Sequence, residues 1–206
     1  MDTVERLRHL SDAERRIFND EQSAVILIPL IIEEDEWKLL YEVRAESLRR
    51  QPGEVCFPGG RANEGETNEE AVRRECREEL LIEDEQLDIL CELGTIRGPG
   101  NMPVTVYSGI LKDYEYTFSR DESDSVFSCA VEDLQKLRAV QTVKENYTAD
   151  EDFFRSVPGG LRWLQRPLER DMVFYGTEPV IWGFTARVTE RFLSLWTSLA
   201  DGDECA

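Results

Sequence analysis

An α/β fold, with a mixed sheet between helices in an α/β/α sandwich, is predicted by three features of the 206-residue chain. Apolar runs rich in β-branched residues recur at strand length, a stretch near residues 68–81 carries a helical apolar stripe, and a second helical pattern closes the chain. No low-complexity linker or internal repeat interrupts the sequence. With 41% hydrophobic residues a sizeable core can form, so one domain over residues 1–206 is expected, with a helical extension at 1–20 and an acidic tail at 200–206.

The elements follow in order. Val4, Leu7, Leu10 and Ile17 stand at helical spacing among charges, which predicts an amphipathic helix over 2–19. Ala24–Ile32 is a β-branched run suited to a buried strand, and Trp37–Val43 is its partner across the acidic turn at 33–36. A loop from Arg44 to Pro58 leads to a helix at about Asn68–Leu81, whose Val72, Cys76 and Leu80 at i, i+4 and i+8 form a stripe to pack on a sheet. Strands are expected at Leu87–Ile96, Val104–Leu111 and Ser125–Ala130, a short helix near Glu132–Leu137, and a strand near Val140–Lys144. Residues 146–171, with a second Pro158-Gly159-Gly160 that reads as a turn, form the least regular segment. Strand pieces at Met172–Tyr175 and Val180–Ile181 and a helix from about Gly183 to Leu199 complete the chain.

Composition removes several function classes. With 43 acidic against 24 basic residues the net charge is −19, so the chain lacks the cationic footprint that nucleic acid or an anionic membrane requires. A polyanionic small substrate could enter only through bridging cations and a local arginine cluster. The five cysteines, Cys56, Cys76, Cys91, Cys129 and Cys205, are scattered and form no CxxC pair, which points to reduced thiols rather than a disulfide frame or zinc site. Charged residues throughout positions 1–20 and the lack of a long apolar run lead us to expect a soluble, cytoplasmic protein without a signal peptide. The single histidine, His9, rules against a Ser/His/Asp triad or histidine metal site.

The informative stretch is Gly60 to Ile82. After Gly60 come five residues, Glu66, seven residues, and then Arg74-Glu75-Cys76-Arg77-Glu78-Glu79. On a helix Glu75, Glu78 and Glu79 fall at i, i+3 and i+4, so their carboxylates share one face and repel unless a cation sits among them. Oxygen-only ligands favour a hard ion such as Mg²⁺ or Mn²⁺. Acidic runs are common on solvated helix faces, but here Pro58-Gly59-Gly60 precedes the run, and glycine allows the backbone to approach a ligand closely.

These residues match the signature of the Nudix hydrolases at every fixed position except the last glycine, where Leu81 stands. The resemblance implies the Nudix α/β/α fold and a metal-dependent diphosphatase. It carries metal ligation onto Glu75 and Glu79, with Glu78 sharing the cluster and a backbone carbonyl at Gly59 or Gly60 completing it. The general base is left between Glu78 and Glu122, which lies just before a predicted strand. Arg74 is assigned to orienting the glutamates, and Glu66 to the loop that braces the helix.

Upstream, Leu39 to Gly60 resembles the additional motif of the coenzyme A pyrophosphatase branch, roughly LLTxRSxxLRxHxGxVxFPGG, with Arg44, Leu48, Arg49, Gly53, Val55, Phe57 and Pro58-Gly59-Gly60 matching. Tyr41-Glu42 departs from its threonine region and Gln51 replaces its usual histidine. Ile181-Trp182-Gly183-Phe184-Thr185-Ala186 is similar to the IWGxTA segment of that branch. Independently of family, Arg44, Arg49, Arg50 and Arg61 concentrate positive charge beside the acidic box, and guanidinium groups grip phosphates bidentately. The alternative is that they merely balance Glu42, Glu46 and Glu54 on a surface loop. With Gln51 they are the candidate substrate-binding residues, while Phe57 and Trp182 read as core.

The expected reaction is hydrolysis of coenzyme A or acyl-coenzyme A to 3′,5′-ADP and 4′-phosphopantetheine. ADP-ribose, another dinucleotide or a nucleoside triphosphate is the alternative within hydrolases, and a non-catalytic nucleotide-binding module the alternative of another class. The resemblance leaves a homodimer open.

Overall fold

A computed structural model of the protein describes residues 24–145, 152, 155 and 168–200, which divide into two compact units between Cys129 and Ala130. The first unit is built on a mixed seven-stranded sheet with β1 (Ala24–Glu33) near its centre. β1 pairs antiparallel with β2 (Glu36–Arg44) and parallel with β6 (Pro103–Leu111), which in turn pairs with β5 (Leu87–Arg97). The first eight residues of β1 are all buried, as a strand covered on both faces requires. Its Pro29 cannot donate to a ladder. It falls in the interval between Ile26, where pairing with β4 (Gly59–Arg61) ends, and Leu30, where pairing with β2 begins.

The predicted turn at 33–36 is a two-residue hairpin in which Glu34 and Asp35 both take positive φ, the geometry that matches strand twist. Two short strands were not anticipated: β3 (Val55–Cys56) pairs with β2 inside the expected loop, and β4 binds Ala24–Ile26 of β1. Neither is long enough to carry a period. β7 (Ser123–Ala130) also pairs with β2 and begins two residues before the predicted start.

Helix α1 (Asn68–Leu80) lies where the spacing predicts it. Thr67 caps it in a capping box: the Glu70 amide donates to Thr67 Oγ1, and the Thr67 amide donates to Glu70 Oε2. Val72, Cys76 and Leu80 are fully buried against Val25, Leu27 and Leu40 of the sheet. Truncating Leu80 to alanine would cost about 2–5 kcal/mol, the scale of a core cavity. The helix ends in a left-handed turn at Leu81 (φ 54°, ψ 42°), the conformation usually given to glycine.

The second unit contains α2 (Val131–Leu137), an antiparallel pair β8 (Arg138–Glu145) and β9 (Leu168–Tyr175), and α3 (Gly183–Ala200). Strand β9 starts four residues before the predicted Met172, inside the stretch expected to be irregular, because its register with β8 extends to Leu168. Val180–Ile181 is no strand: only Ile181 makes an isolated bridge, to Tyr175. Trp182, expected in the core, is 42% exposed, since Ile181 takes the inward position and its neighbour faces away. α3 buries Ala186, Thr189, Phe192 and Leu193 along one face and packs on β9. Arg138 of β8 is ion-paired with Glu190 of α3. The helix expected over 2–19, most of residues 146–167 and the tail beyond 200 lie outside the described residues.

Candidate active site

The site is assembled where β4 meets α1. Gly59 and Gly60 pair with Ile26 and Val25 of β1, which brings this backbone under the helix face carrying Glu75 and Glu79. A Cβ on Gly59, which has φ +151°, would lie 2.2 Å from the Val25 carbonyl oxygen. A Cβ on Gly60 would lie 2.3 Å from Glu75 Oε1, so glycine there is what lets the carboxylate touch the main chain. The Gly59 amide donates to Glu79 Oε2 at 2.7 Å.

Arg74 organises the carboxylates on the other side. It binds Glu66 bidentately (Nε to Oε1 2.9 Å, Nη2 to Oε2 3.0 Å), and its Nη1 donates to Glu75 Oε1 at 2.9 Å and Glu78 Oε2 at 3.1 Å. Nη2 also reaches the Arg61 carbonyl at 3.0 Å, fastening the helix to the end of β4. Glu66 accepts the Asn63 amide, and these donors hold its carboxyl below the usual range. Thus Glu66 braces the loop, and one guanidinium sets the orientation of three acids.

Burial pushes the Glu75 carboxyl up, against the opposing pull of Arg74. Glu79, 7% exposed, is pushed up by loss of water and then by the neighbouring charge of Glu42. Glu42 itself is 1% exposed on β2 and is raised by burial, with a Ser123 Oγ donor opposing at 3.3 Å. Among the described residues no three His, Cys, Asp or Glu groups stand in a geometry that could hold a metal ion. Glu75 and Glu78 instead turn oxygens to Arg74. The donor chemistry still fits a hard divalent cation: oxygen only, partly buried and short of compensating positive charge.

The remaining predicted residues are placed as follows. Glu122 sits in a turn whose carbonyl accepts the Ala45 amide at 2.9 Å, while the adjacent Ser119 amide donates to the Glu79 carbonyl at 2.7 Å. Its charge acts on Glu42, Glu75 and Glu79. Arg44 lies at the end of β2, with Nε on the Arg50 carbonyl at 3.3 Å, and its charge acts on Glu42. Arg49, Arg50 and Arg61 are exposed. Gln51 takes positive φ and donates to Glu54 Oε2 at 2.9 Å, so Gln51 is joined to its own loop. Phe57 is core, stacked on Tyr41 with centroids 4.9 Å apart. Glu42, which lies in the predicted strand Trp37–Val43 and is given no role in the site by sequence reasoning, is found buried on β2 with its charge acting on Glu79. An acid following Leu39-Leu40-Tyr41 in a strand was the available signal.

The NUDIX domain family model matches residues 21–154. The chain belongs to the Nudix family. Its α/β fold, a mixed sheet with the signature helix packed on it, is the one the family resemblance implied. Nudix hydrolase 3 of Caenorhabditis elegans is 34% identical over 139 residues, covering 63% of this chain and 58% of that protein. Peroxisomal coenzyme A diphosphatase NUDT7 of Mus musculus is 30% identical over 128 residues, covering 61% of this chain and 54% of that protein. The chain therefore spans little more than half the length of these relatives. Among solved structures, a C. elegans Ap4A hydrolase binary complex aligns with a TM-score of 0.47 at 24% identity, over 56% of this chain and 84% of that one. No helix among the described residues is long and apolar enough to cross a membrane.

Proposed function

We propose that the chain is a divalent-metal-dependent hydrolase of diphosphate linkages, and that its preferred substrate is coenzyme A or an acyl-coenzyme A. The observation that carries the hydrolase reading is the close approach of the Glu75 and Glu79 carboxylates to the Gly59-Gly60 backbone. Glu75, Glu79 and Glu78, with the Gly60 carbonyl, would hold Mg²⁺ or Mn²⁺. When bound, the ion supplies charge neutralisation for the diphosphate and a more acidic water. Arg74 keeps Glu75 and Glu78 oriented, and Gly59 fixes Glu79 through its amide. Glu78, on the exposed side of α1, and Glu122, in the turn before β7, are the two candidates for taking the proton of the attacking water.

Two findings support coenzyme A over other diphosphates: the upstream motif from Leu39 to Gly60, and the name of the mouse relative. Arg44, Arg49, Arg50 and Arg61 supply the cations its phosphates need in a chain of net charge −19. Gln51 brings hydrogen bonding without positive charge, so preference for the 3′-phosphate should be weak.

The test is kcat/KM for coenzyme A, dephospho-coenzyme A, ADP-ribose and a nucleoside triphosphate, with Mg²⁺ or Mn²⁺, on wild type, Arg44→Ala and Arg49→Ala. Coenzyme A should lead, and each arginine change should weaken its use by about 1–3 kcal/mol. Dephospho-coenzyme A should suffer less from whichever change removes the 3′-phosphate contact. A wild type that favours ADP-ribose, with both changes affecting all substrates equally, refutes the coenzyme A assignment and leaves a general Nudix diphosphatase. Nucleotide binding without turnover of any substrate refutes the hydrolase.

A further inference from the structure

Glu42 is the most deeply buried acid among the described residues, and neither the signature nor the upstream motif gives it a role. It follows Leu39, Leu40 and Tyr41, all fully buried, along β2 and stands opposite Cys56 of β3. Its Oε1 accepts Ser123 Oγ at 3.3 Å, a long bond from one neutral hydroxyl. Ser123 is itself buried and donates its amide to the Ser119 carbonyl at 2.9 Å, while Ser119 donates to the carbonyl of Glu79 at 2.7 Å. One turn thus ties Glu42 to the end of the metal helix. The charges acting on Glu42 are Glu75 and Glu79 from α1, Glu122 from that turn, and Arg44 from its own strand. Leu40, two residues earlier on the same face of β2, packs in one core cluster with Val72, Cys76 and Leu80 of α1, so Glu42 lies on the side of the sheet that α1 covers, in a place from which water is largely excluded.

An ionised carboxylate so placed is a liability to the metal-free fold, because neither a full hydrogen-bond set nor a matching cation offsets its lost hydration. Glutamine would fit the same space. A packing role therefore gives no reason for the charge. A divalent cation seated between Glu75 and Glu79 supplies one, since negative charge behind the ligands strengthens their hold on it at short range and low dielectric.

We propose that Glu42 is a positioning residue of the metal centre, which strengthens divalent-cation binding by backing Glu79 with a buried negative charge while touching neither substrate nor reacting atoms. This rests on the proposed metal site at Glu75 and Glu79.

The experiment is direct Mn²⁺ titration of the full chain, followed by electron paramagnetic resonance and calorimetry, with melting in metal-free buffer alongside. Wild type, Glu75→Gln, Glu42→Gln and Glu42→Asp are compared. Wild type should bind, and Glu75→Gln should lose most affinity. Glu42→Gln should melt higher than wild type without metal yet bind Mn²⁺ at least about tenfold more weakly. Glu42→Asp, shorter but charged, should bind more tightly than Glu42→Gln. If Glu42→Gln binds as wild type does while Glu75→Gln fails, the inference is overturned and the metal site stands. A Glu42→Gln protein that melts lower than wild type or does not fold overturns it too, as does aspartate binding more weakly than glutamine. Absence of Mn²⁺ binding by wild type overturns both the inference and the metal reading.

Discussion

Replacing Glu79 by glutamine separates what the carboxylate does for the fold from what it does for the metal. The substitution preserves shape, and the amide oxygen of glutamine can still accept the Gly59 amide that now meets Glu79 Oε2 at 2.7 Å. That bond becomes neutral rather than charge-assisted, a loss of about 1 kcal/mol. Against it stands removal of a buried carboxyl that burial and the neighbouring Glu42 push up to about 9, so that at pH 8 folding must drive a proton onto it, a cost of roughly 2–3 kcal/mol. The net expectation for metal-free protein at pH 8 is a gain of about 1–2 kcal/mol, which for a chain of this size raises Tm by roughly 3–6 °C. Metal should reverse the order. At about 100 times its Kd, Mn²⁺ stabilises wild type by about 2.7 kcal/mol, whereas Glu79→Gln should gain little and retain almost no diphosphatase activity. Scanning calorimetry with EDTA and with Mn²⁺ gives both differences. A variant that melts below wild type in EDTA and gains the same increment from Mn²⁺ would refute the reasoning, since Glu79 would then be a structural acceptor for Gly59 and no ligand.

Three further outcomes follow from the same geometry. Gly60→Ala should fold and lose Mn²⁺ affinity, because its Cβ displaces only the end of the Glu75 side chain, while Gly59→Ala should lose at least about 3 kcal/mol in urea denaturation, because its Cβ strikes the Val25 backbone. Metal-free stability should fall as pH rises from 4.5 to about 9: Glu42, Glu75 and Glu79 all have raised folded-state values, Glu42 about 7 and Glu79 about 9, so their contribution is complete below the unfolded value and is lost as pH rises through the folded ones. Urea denaturation across that range measures it, and Mn²⁺ should flatten the slope; an upward slope would show that acids held low, such as Glu66, dominate. Leu81→Gly should stabilise by up to about 1 kcal/mol, since Leu81 is 56% exposed and holds a left-handed turn that costs a side-chain-bearing residue about that much; a drop in Tm would mean that its side chain contributes more than its backbone loses.

The parts legible in the sequence are those whose determinants are local. The stripe Val72-Cys76-Leu80 marks α1 by its period, Thr67 and Glu70 cap it from positions three residues apart, and the run Ala24–Ile32 announces a buried strand. The signature glutamates share a face because helix geometry allows nothing else. Strands β3 and β4, two and three residues long, were hidden because their existence depends on partners 14 and 33 residues away, Glu42 with Cys56 and Ile26 with Gly59. The start of β9 was hidden for the same reason, since its register is set by β8.

Glu42 shows why a site can be read from spacing while its electrostatics cannot. Its neighbours in sequence, Arg44 and Glu46, suggest charge balance on a loop, its place after Leu39-Leu40-Tyr41 in a strand suggests burial, and only the pairing of β1, β3 and β7 with β2 decides between them. Once these strands pair, water is excluded and an acid that would have been neutral in its effect becomes a strong local field. The same three-dimensional closure acts in the opposite sense on Gln51, whose partner Glu54 lies within its own turn, leaving it outside the network that joins Arg74 to Glu66, Glu75 and Glu78. Position in the motif therefore identifies the glutamates that meet the Gly59-Gly60 backbone, whereas the electrostatics around them depend on residues such as Glu42 that come from another strand.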